Sequence, residues 1–199
     1  MTSLLAISAS PSARSRTAAV AAHLVQRLSR AGFRTAHLRV RDLPAAELLA
    51  GRTDHPVMRR ALDAVAAADG VLVATPVYQA AYSGLLKTFL DVLPQSGLAG
   101  KTVLPVMTGG SLAHALAPHY ALQPVLVALG ARHVVRGAFV LDHSIGVDGD
   151  GLPPVSGDAA PRLDRALEEF VAALPPKEPS ASGALHAVRF GDPAAPRTH

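Results

Sequence analysis

Leu4-Leu5-Ala6-Ile7-Ser8-Ala9-Ser10-Pro11-Ser12-Ala13-Arg14-Ser15-Arg16-Thr17 decides the fold. Its apolar start gives way to small polar residues, the pattern of a strand buried on both faces that then enters a loop. From Thr17 to about Ala31, Val20, Leu24 and Leu28 recur at helical spacing, with Gln26, Arg27 and Arg30 elsewhere on the surface. Gly32 then stops the helix. A two-sided strand, a polar loop and an amphipathic helix in that order open a parallel α/β sheet.

The alternation continues outward from this unit. Strands are expected at Thr35 to Val40, Gly70 to Thr75, Thr102 to Thr108 and His133 to Leu141. Helices are expected at Pro56 to Ala68, Gly84 to Leu93, Ser111 to Leu129 and Pro161 to Leu174, and Asp42-Leu43-Pro44 leads into an irregular or short helical stretch. Pro105 lacks an amide hydrogen, so the strand that carries it is expected early or at an edge of the sheet. Right-handed crossovers then give a doubly wound, five-stranded parallel sheet with helices on both faces. Residues 1–174 form one domain in this reading. Residues 175–199, rich in Pro, Ala, Gly and Ser, are expected to be a mobile extension or an arm on a partner subunit.

Composition narrows the classes of function. Of 199 residues, 49% are apolar, enough for a core on each side of a sheet. The absence of cysteine removes disulfides, thiolate catalysis and Cys-based metal centres. No apolar run has the ~18 residues of a membrane span. The first residues also lack the basic region and cleavage site of a secretory signal, so a cytoplasmic protein is expected. The net charge of +4 raises the question of nucleic acid. The arginines are scattered, however, and five Phe, three Tyr and no Trp make a poor stacking platform, so no nucleic-acid role is expected. Nine histidines are dispersed, and His114 and His119 miss the i, i+4 spacing of helical zinc ligands, so no metal site is expected.

In an open α/β sheet, ligands collect beyond the carboxyl ends of the strands. Three loops there carry chemistry. The first, Ser8 to Thr17, combines hydroxyls, Arg14 and Arg16 at a helix N-terminus, a set suited to a phosphomonoester. It has neither the P-loop pattern nor the Gly-x-Gly-x-x-Gly pattern, and it also reads as an ordinary polar cap of the helix. The second, Thr75 to Gly84, offers Pro76 and the rings of Tyr78 and Tyr82, either as an apolar shelf for a planar ligand or as half-buried packing. The third, Thr108-Gly109-Gly110-Ser111, lets backbone approach a planar ligand or serves simply as a turn.

Taken together, these stretches resemble the NAD(P)H-dependent FMN reductases, of flavodoxin-like fold. The resemblance lies in Ser10-Pro11 with Ser15-Arg16-Thr17, in Ala74-Thr75-Pro76-Val77-Tyr78-Gln79-Ala80-Ala81-Tyr82-Ser83-Gly84-Leu85-Leu86-Lys87-Thr88, and in Leu104-Pro105-Val106-Met107-Thr108-Gly109-Gly110. His114 to Leu126 is similar to the subgroup that serves two-component alkanesulfonate monooxygenases. The resemblance covers about Leu4 to Leu174. It implies FMN, with NADPH or NADH as hydride donor. Ser10, Ser15, Arg16 and Thr17 would hold the FMN phosphate, Pro76, Val77 and Tyr78 would line the isoalloxazine, and Thr108, Gly109 and Gly110 would approach its other edge, while Ser83 and Gly84 would shape the second loop. Ala9 and Ser12 depart from the family's frequent Gly and Arg, which shifts weight to Arg16 and Arg14.

The resemblance further implies a homodimer or homotetramer and a transient flavin-dependent monooxygenase partner. Flavin chemistry belongs to the cofactor, so no catalytic protein acid or base is assigned. Tyr82, Lys87 and His114 read better as packing or surface residues. Two rivals stand beside this reading. One is a quinone or azo reductase with permanently bound FMN. The other is a flavodoxin-type electron carrier, against which the positive charge counts.

Overall fold

The computed structural model describes residues 1–146 and 155–176. The strands are β1 (Ser3–Ser8), β2 (Arg34–Arg39), β3 (Gly70–Tyr78), β4 (Ala81–Tyr82), β5 (Thr102–Gly109), β6 (His133–Val134) and β7 (Ala138–Leu141). The helices are α1 (Arg16–Arg30), α2 (Ala45–Leu49), α3 (Pro56–Ala67), α4 (Gly84–Asp91), α5 (Gln123–Ala128) and α6 (Ala159–Ala172). The sheet runs β2-β1-β3-β5 and then β6 and β7, which follow one another along the far side of β5. All these pairings are parallel, so five strand positions lie in the flavodoxin-like order 2-1-3-4-5. The proposed tail lies outside the described residues from residue 177 onward.

The two faces of the sheet bury different halves of each strand. Leu5 and Ile7 of β1, with Val71 and Val73 of β3, pack against Met58, Leu86, Phe89 and Leu122. Leu4 and Ala6, with Leu72 and Ala74, pack against Val20, Leu24, Leu163 and Phe170. Period-two alternation in a continuous apolar strand thus feeds two cores. Gly70 is small because a Cβ there would come within 2.6 Å of Leu174 and 2.8 Å of Phe170.

Three expectations are corrected. β5 is an interior strand, and Pro105 is tolerated for another reason. Val103 pairs with Val134 and Val106 with Ala138, so the partner carries one extra residue opposite Pro105. That bulge at Val135-Arg136-Gly137 splits the expected fifth strand into β6 and β7, placing a break where a proline has no hydrogen to give.

The helix expected from Ser111 to Leu129 carries two prolines, which force breaks in its hydrogen-bond ladder, and it is divided. It consists of a 3₁₀ turn at Leu112–His114, a π-helical turn at Pro118–Leu122, and α5. Pro118 and Pro124 each remove one donor from the ladder, and the wider turn accommodates the gap.

The second loop, finally, begins later than expected, because β3 runs on through Pro76 to Tyr78. Val77 pairs with Tyr82 and Tyr78 with Ala81, an antiparallel hairpin turned at Gln79 and Ala80. Both turn residues have positive φ, 48° and 61°, which the favoured two-residue hairpin requires.

Candidate functional site

The loops that follow β1, β3 and β5 meet at the carboxyl edge of the sheet, and buried hydrogen bonds tie them together. Ala9 extends the pairing of β1 with β3 through its amide to the Ala74 carbonyl, 2.9 Å. Ser83 Oγ donates to the Ala9 carbonyl at 2.6 Å and accepts from the Leu86 amide at 3.1 Å. The Ser83 amide in turn donates to Thr75 Oγ1 at 3.0 Å. One side chain therefore caps α4, anchors the hairpin and fixes the first loop. Thr17 Oγ1 and Thr108 Oγ1 lie 2.6 Å apart and join the first loop to the third.

Within the first loop, Ser15 is the N-cap of α1, its oxygen accepting from the Ala18 amide at 3.0 Å. Ser10 is buried, and its oxygen lies 3.4 Å from the Ser12 amide. The first turn of α1 contains no acidic residue. Arg14 and Arg16 are exposed, and neither guanidinium group has a hydrogen bond or ion pair with another described residue. A helix N-terminus, serine hydroxyls and two guanidinium groups form a set of donors that no anion among the described residues satisfies. The set fits a phosphate. Thr17 is different, because its hydroxyl is committed to Thr108 and only its amide faces the loop as a helix-start donor.

The other two loops supply a shelf. Pro76 is buried, Val77 half-buried and Tyr78 49% exposed, so the strand delivers its residues progressively to the surface. In the third loop the two glycines differ. A Cβ on Gly109 would lie 3.1 Å from Phe139, so Gly109 is small for packing, whereas Gly110 has open space around it. Gly110 is where backbone can approach a planar ligand. Beyond the shelf, Tyr120 of the π-helical turn donates its hydroxyl to the carbonyl of Ala80 at 2.9 Å.

A family model described as NADPH-dependent FMN reductase matches residues 2–146. The chain belongs to that family. It is 43% identical to an FMN reductase (NADPH) of Pseudomonas putida over 92% of this chain and 94% of the relative. It is 40% identical to an FMN reductase (NADPH) of Escherichia coli K12 over 86% and 89% of the two chains. Among solved structures, the apo form of an NADH:FMN oxidoreductase called EMOB superposes with a TM-score of 0.80 at 41% identity, covering 89% of this chain and 92% of that one. The chain is thus an NAD(P)H:FMN oxidoreductase of flavodoxin-like fold.

The loop residues expected from sequence gather at one sheet edge, while others fall elsewhere. Lys87 pairs with Asp91 on the exposed side of α4, Nζ to Oδ1 at 2.6 Å. His119 faces Gln123 one helical turn on, and no cluster of three potential metal ligands exists among the described residues. No helix of the described residues is long and apolar enough to cross a membrane. The linking roles of Ser83 and Thr75 were not legible beforehand, although Ser83 before Gly84-Leu85-Leu86 carries an N-cap signature. The Tyr120 contact with the hairpin had no sequence signal.

Proposed function

We propose that this reductase treats FMN as a substrate that it releases in reduced form to a flavin-dependent monooxygenase, in sulfonate-sulfur assimilation. The observation that carries this reading is the build of the flavin shelf. Tyr78 stands half exposed beside a two-residue turn, and the tip of that hairpin is hydrogen-bonded to the π-helical turn through the Tyr120 hydroxyl. With no Trp in the chain, few broad rings are available to clamp a flavin on both faces. Such a wall favours exchange over permanent retention.

The residues divide the work. Ser10, Ser15, Arg16 and the Thr17 amide hold the phosphate, with Arg14 in support. Pro76, Val77 and Tyr78 line the ring system, and Thr108, Gly109 and Gly110 form the edge opposite, with Gly110 making the close approach. Bound there, FMN would supply the redox chemistry by accepting hydride from the pyridine nucleotide. The chain's own part is orientation, exclusion of water from one face, and amide dipoles at the loop edges. A homodimer or homotetramer in the cytoplasm completes the proposal.

Purification without added flavin tests it. The protein should show little visible absorbance, and NAD(P)H oxidation should saturate with added FMN. A yellow protein whose turnover ignores FMN and depends on a quinone would establish the bound-flavin alternative instead.

A further inference from the structure

A second concavity lies beside the flavin loops, and its walls are basic. It is a cavity of about 330 Å³ between the π-helical region and α6, rimmed by Arg136, Arg162 and Arg165. Phe139 and Leu116 give it an apolar wall. It shares Phe139 and Arg162 with an adjoining cavity of about 420 Å³ that reaches Leu112, two residues beyond Gly110. The two cavities therefore make a groove that begins at Leu112, just past the third loop, and ends among three arginines.

Two carboxylates line the groove as well, Glu169 in the cavity with the three arginines and Asp158 in the adjoining one, but neither is ion-paired with an arginine there. All three arginines are exposed, and none of their guanidinium groups has a hydrogen bond or ion pair with another described residue. Elsewhere on α6, by contrast, Asp164 is paired with Arg27 of α1. The guanidinium groups also come from separate segments. Arg162 and Arg165 stand three apart on α6, while Arg136 belongs to the bulge opposite Pro105. Bulges re-aim side chains, so the proline in β5 and the arginine in this groove are parts of one local arrangement.

We propose that this groove binds the adenosine end of NADPH, with the 2′-phosphate among Arg136, Arg162 and Arg165. The inference rests on the placement of the flavin at the adjoining loops, from which the nucleotide would extend past Leu112. A phosphomonoester carries about −1.5 to −2 charges at neutral pH, and arginine forks meet phosphate oxygens in pairs. The apolar wall of Phe139 and Leu116 suits a purine ring. NADH lacks the 2′-phosphate, so the same groove discriminates between the two donors.

The test is steady-state kinetics of the Arg162→Ala/Arg165→Ala variant and of Arg136→Ala, with FMN saturating. KM for NADPH should rise about tenfold or more, as expected for lost charge-assisted hydrogen bonds, with kcat little changed. KM for NADH should move less than about twofold, the discrimination residing in the phosphate contacts. Calorimetric titration of the flavin-free protein with 2′,5′-ADP supplies a readout independent of flavin reduction. Wild type should bind it more tightly than 5′-AMP, and the double variant should lose that preference. Equal changes for NADPH and NADH, or no preference for 2′,5′-ADP in wild type, would overturn the assignment. FMN behaving as a permanently bound group, with the 2′,5′-ADP preference intact, would instead count against the flavin-release reading alone.

Discussion

The hydroxyls of Thr17 and Thr108, 91 residues apart in the chain, meet at 2.6 Å in the interior between α1 and the end of β5. Both side chains are buried, so each is the other's means of satisfying a hydroxyl away from water. Removing one partner strands the other, whereas removing both leaves two apolar groups of similar shape. Thr17→Val and Thr108→Val are each expected to cost about 1–3 kcal/mol, and the double variant less than their sum. Urea unfolding of the four proteins measures this, and strict additivity would show that the contact carries no energy. Because the pair joins the first and third loops, FMN binding should weaken in each single variant.

Arg16 supplies a prediction specific to phosphate. Arg16→Ala should weaken FMN by roughly 1.5–3 kcal/mol through loss of a charge-assisted contact. Riboflavin, which lacks the phosphate, should be held as before. Fluorescence titration with both flavins decides, and equal losses would make Arg16 a structural residue.

Lys101 is a stability element rather than part of the site. It is buried, and its ammonium donates to the carbonyls of Ala66 at 2.8 Å and Ala68 at 2.7 Å, closing the end of α3. Burial lowers its pKa, partly offset by the nearby Asp69. Lys101→Met keeps the stem but strands two carbonyls, at a cost of about 1.5–3 kcal/mol. The unfolding midpoint should fall while KM for FMN stays near wild type.

What the sequence announces depends on how local the cause is. β1 and β3 are legible because short continuous apolar runs bounded by polar or glycine residues read as strands covered on both faces. The start of α1 is legible because Ser15 sits directly before the apolar repeat. Pro105 misleads, since a missing amide hydrogen is compatible with an edge or with a bulge in the neighbour, and the bulge lies 30 residues or so downstream. Pro118 and Pro124 announce a broken helix but not its π-helical turn. The loops that form the proposed site are visible in the sequence as polar or glycine-rich stretches after strands. The bonds that bind them, Ser83 to Ala9 and Thr17 to Thr108, are not, because each partner lies far along the chain.

Acidification should destabilise the fold through two histidines. Burial, reinforced by Arg39 and opposed by Asp42, lowers the pKa of His37, which lies 2.9 Å from Ser8 Oγ through Nε2. Burial, with Arg27 and Arg30, lowers that of His23. A lowered folded-state pKa means that the unfolded chain binds its proton first as pH falls. The stabilising contribution is therefore complete above the ordinary histidine range and is lost as pH drops through that range toward the folded-state values. Urea midpoints should fall between about pH 7.5 and 5.5, and His37→Gln should flatten part of the slope. An unchanged slope would assign the pH dependence to other groups.

The hairpin turn gives a prediction in which stability and activity part. Gln79 and Ala80 adopt φ of 48° and 61°, a region where side chains with a Cβ are strained and where glycine or asparagine is usual. Such strain persists only when neighbours impose it, and here Tyr120 holds the Ala80 carbonyl at 2.9 Å. Ala80→Gly relieves about 1–2 kcal/mol of left-handed strain per residue, against up to ~1 kcal/mol of extra chain entropy in the unfolded state. The variant should therefore unfold at equal or slightly higher urea concentration. Tyr120→Phe keeps the ring and removes only the bond, so it should lower stability by about 0.5–1.5 kcal/mol and loosen the hairpin that carries Tyr78. Changing the turn alters the position of the proposed flavin shelf without touching the proposed phosphate loop. FMN and riboflavin affinities should accordingly shift together in Ala80→Gly and Tyr120→Phe, unlike Arg16→Ala, which affects only FMN. If either hairpin variant changed FMN but left riboflavin unaffected, Tyr78 would not lie against the ring system.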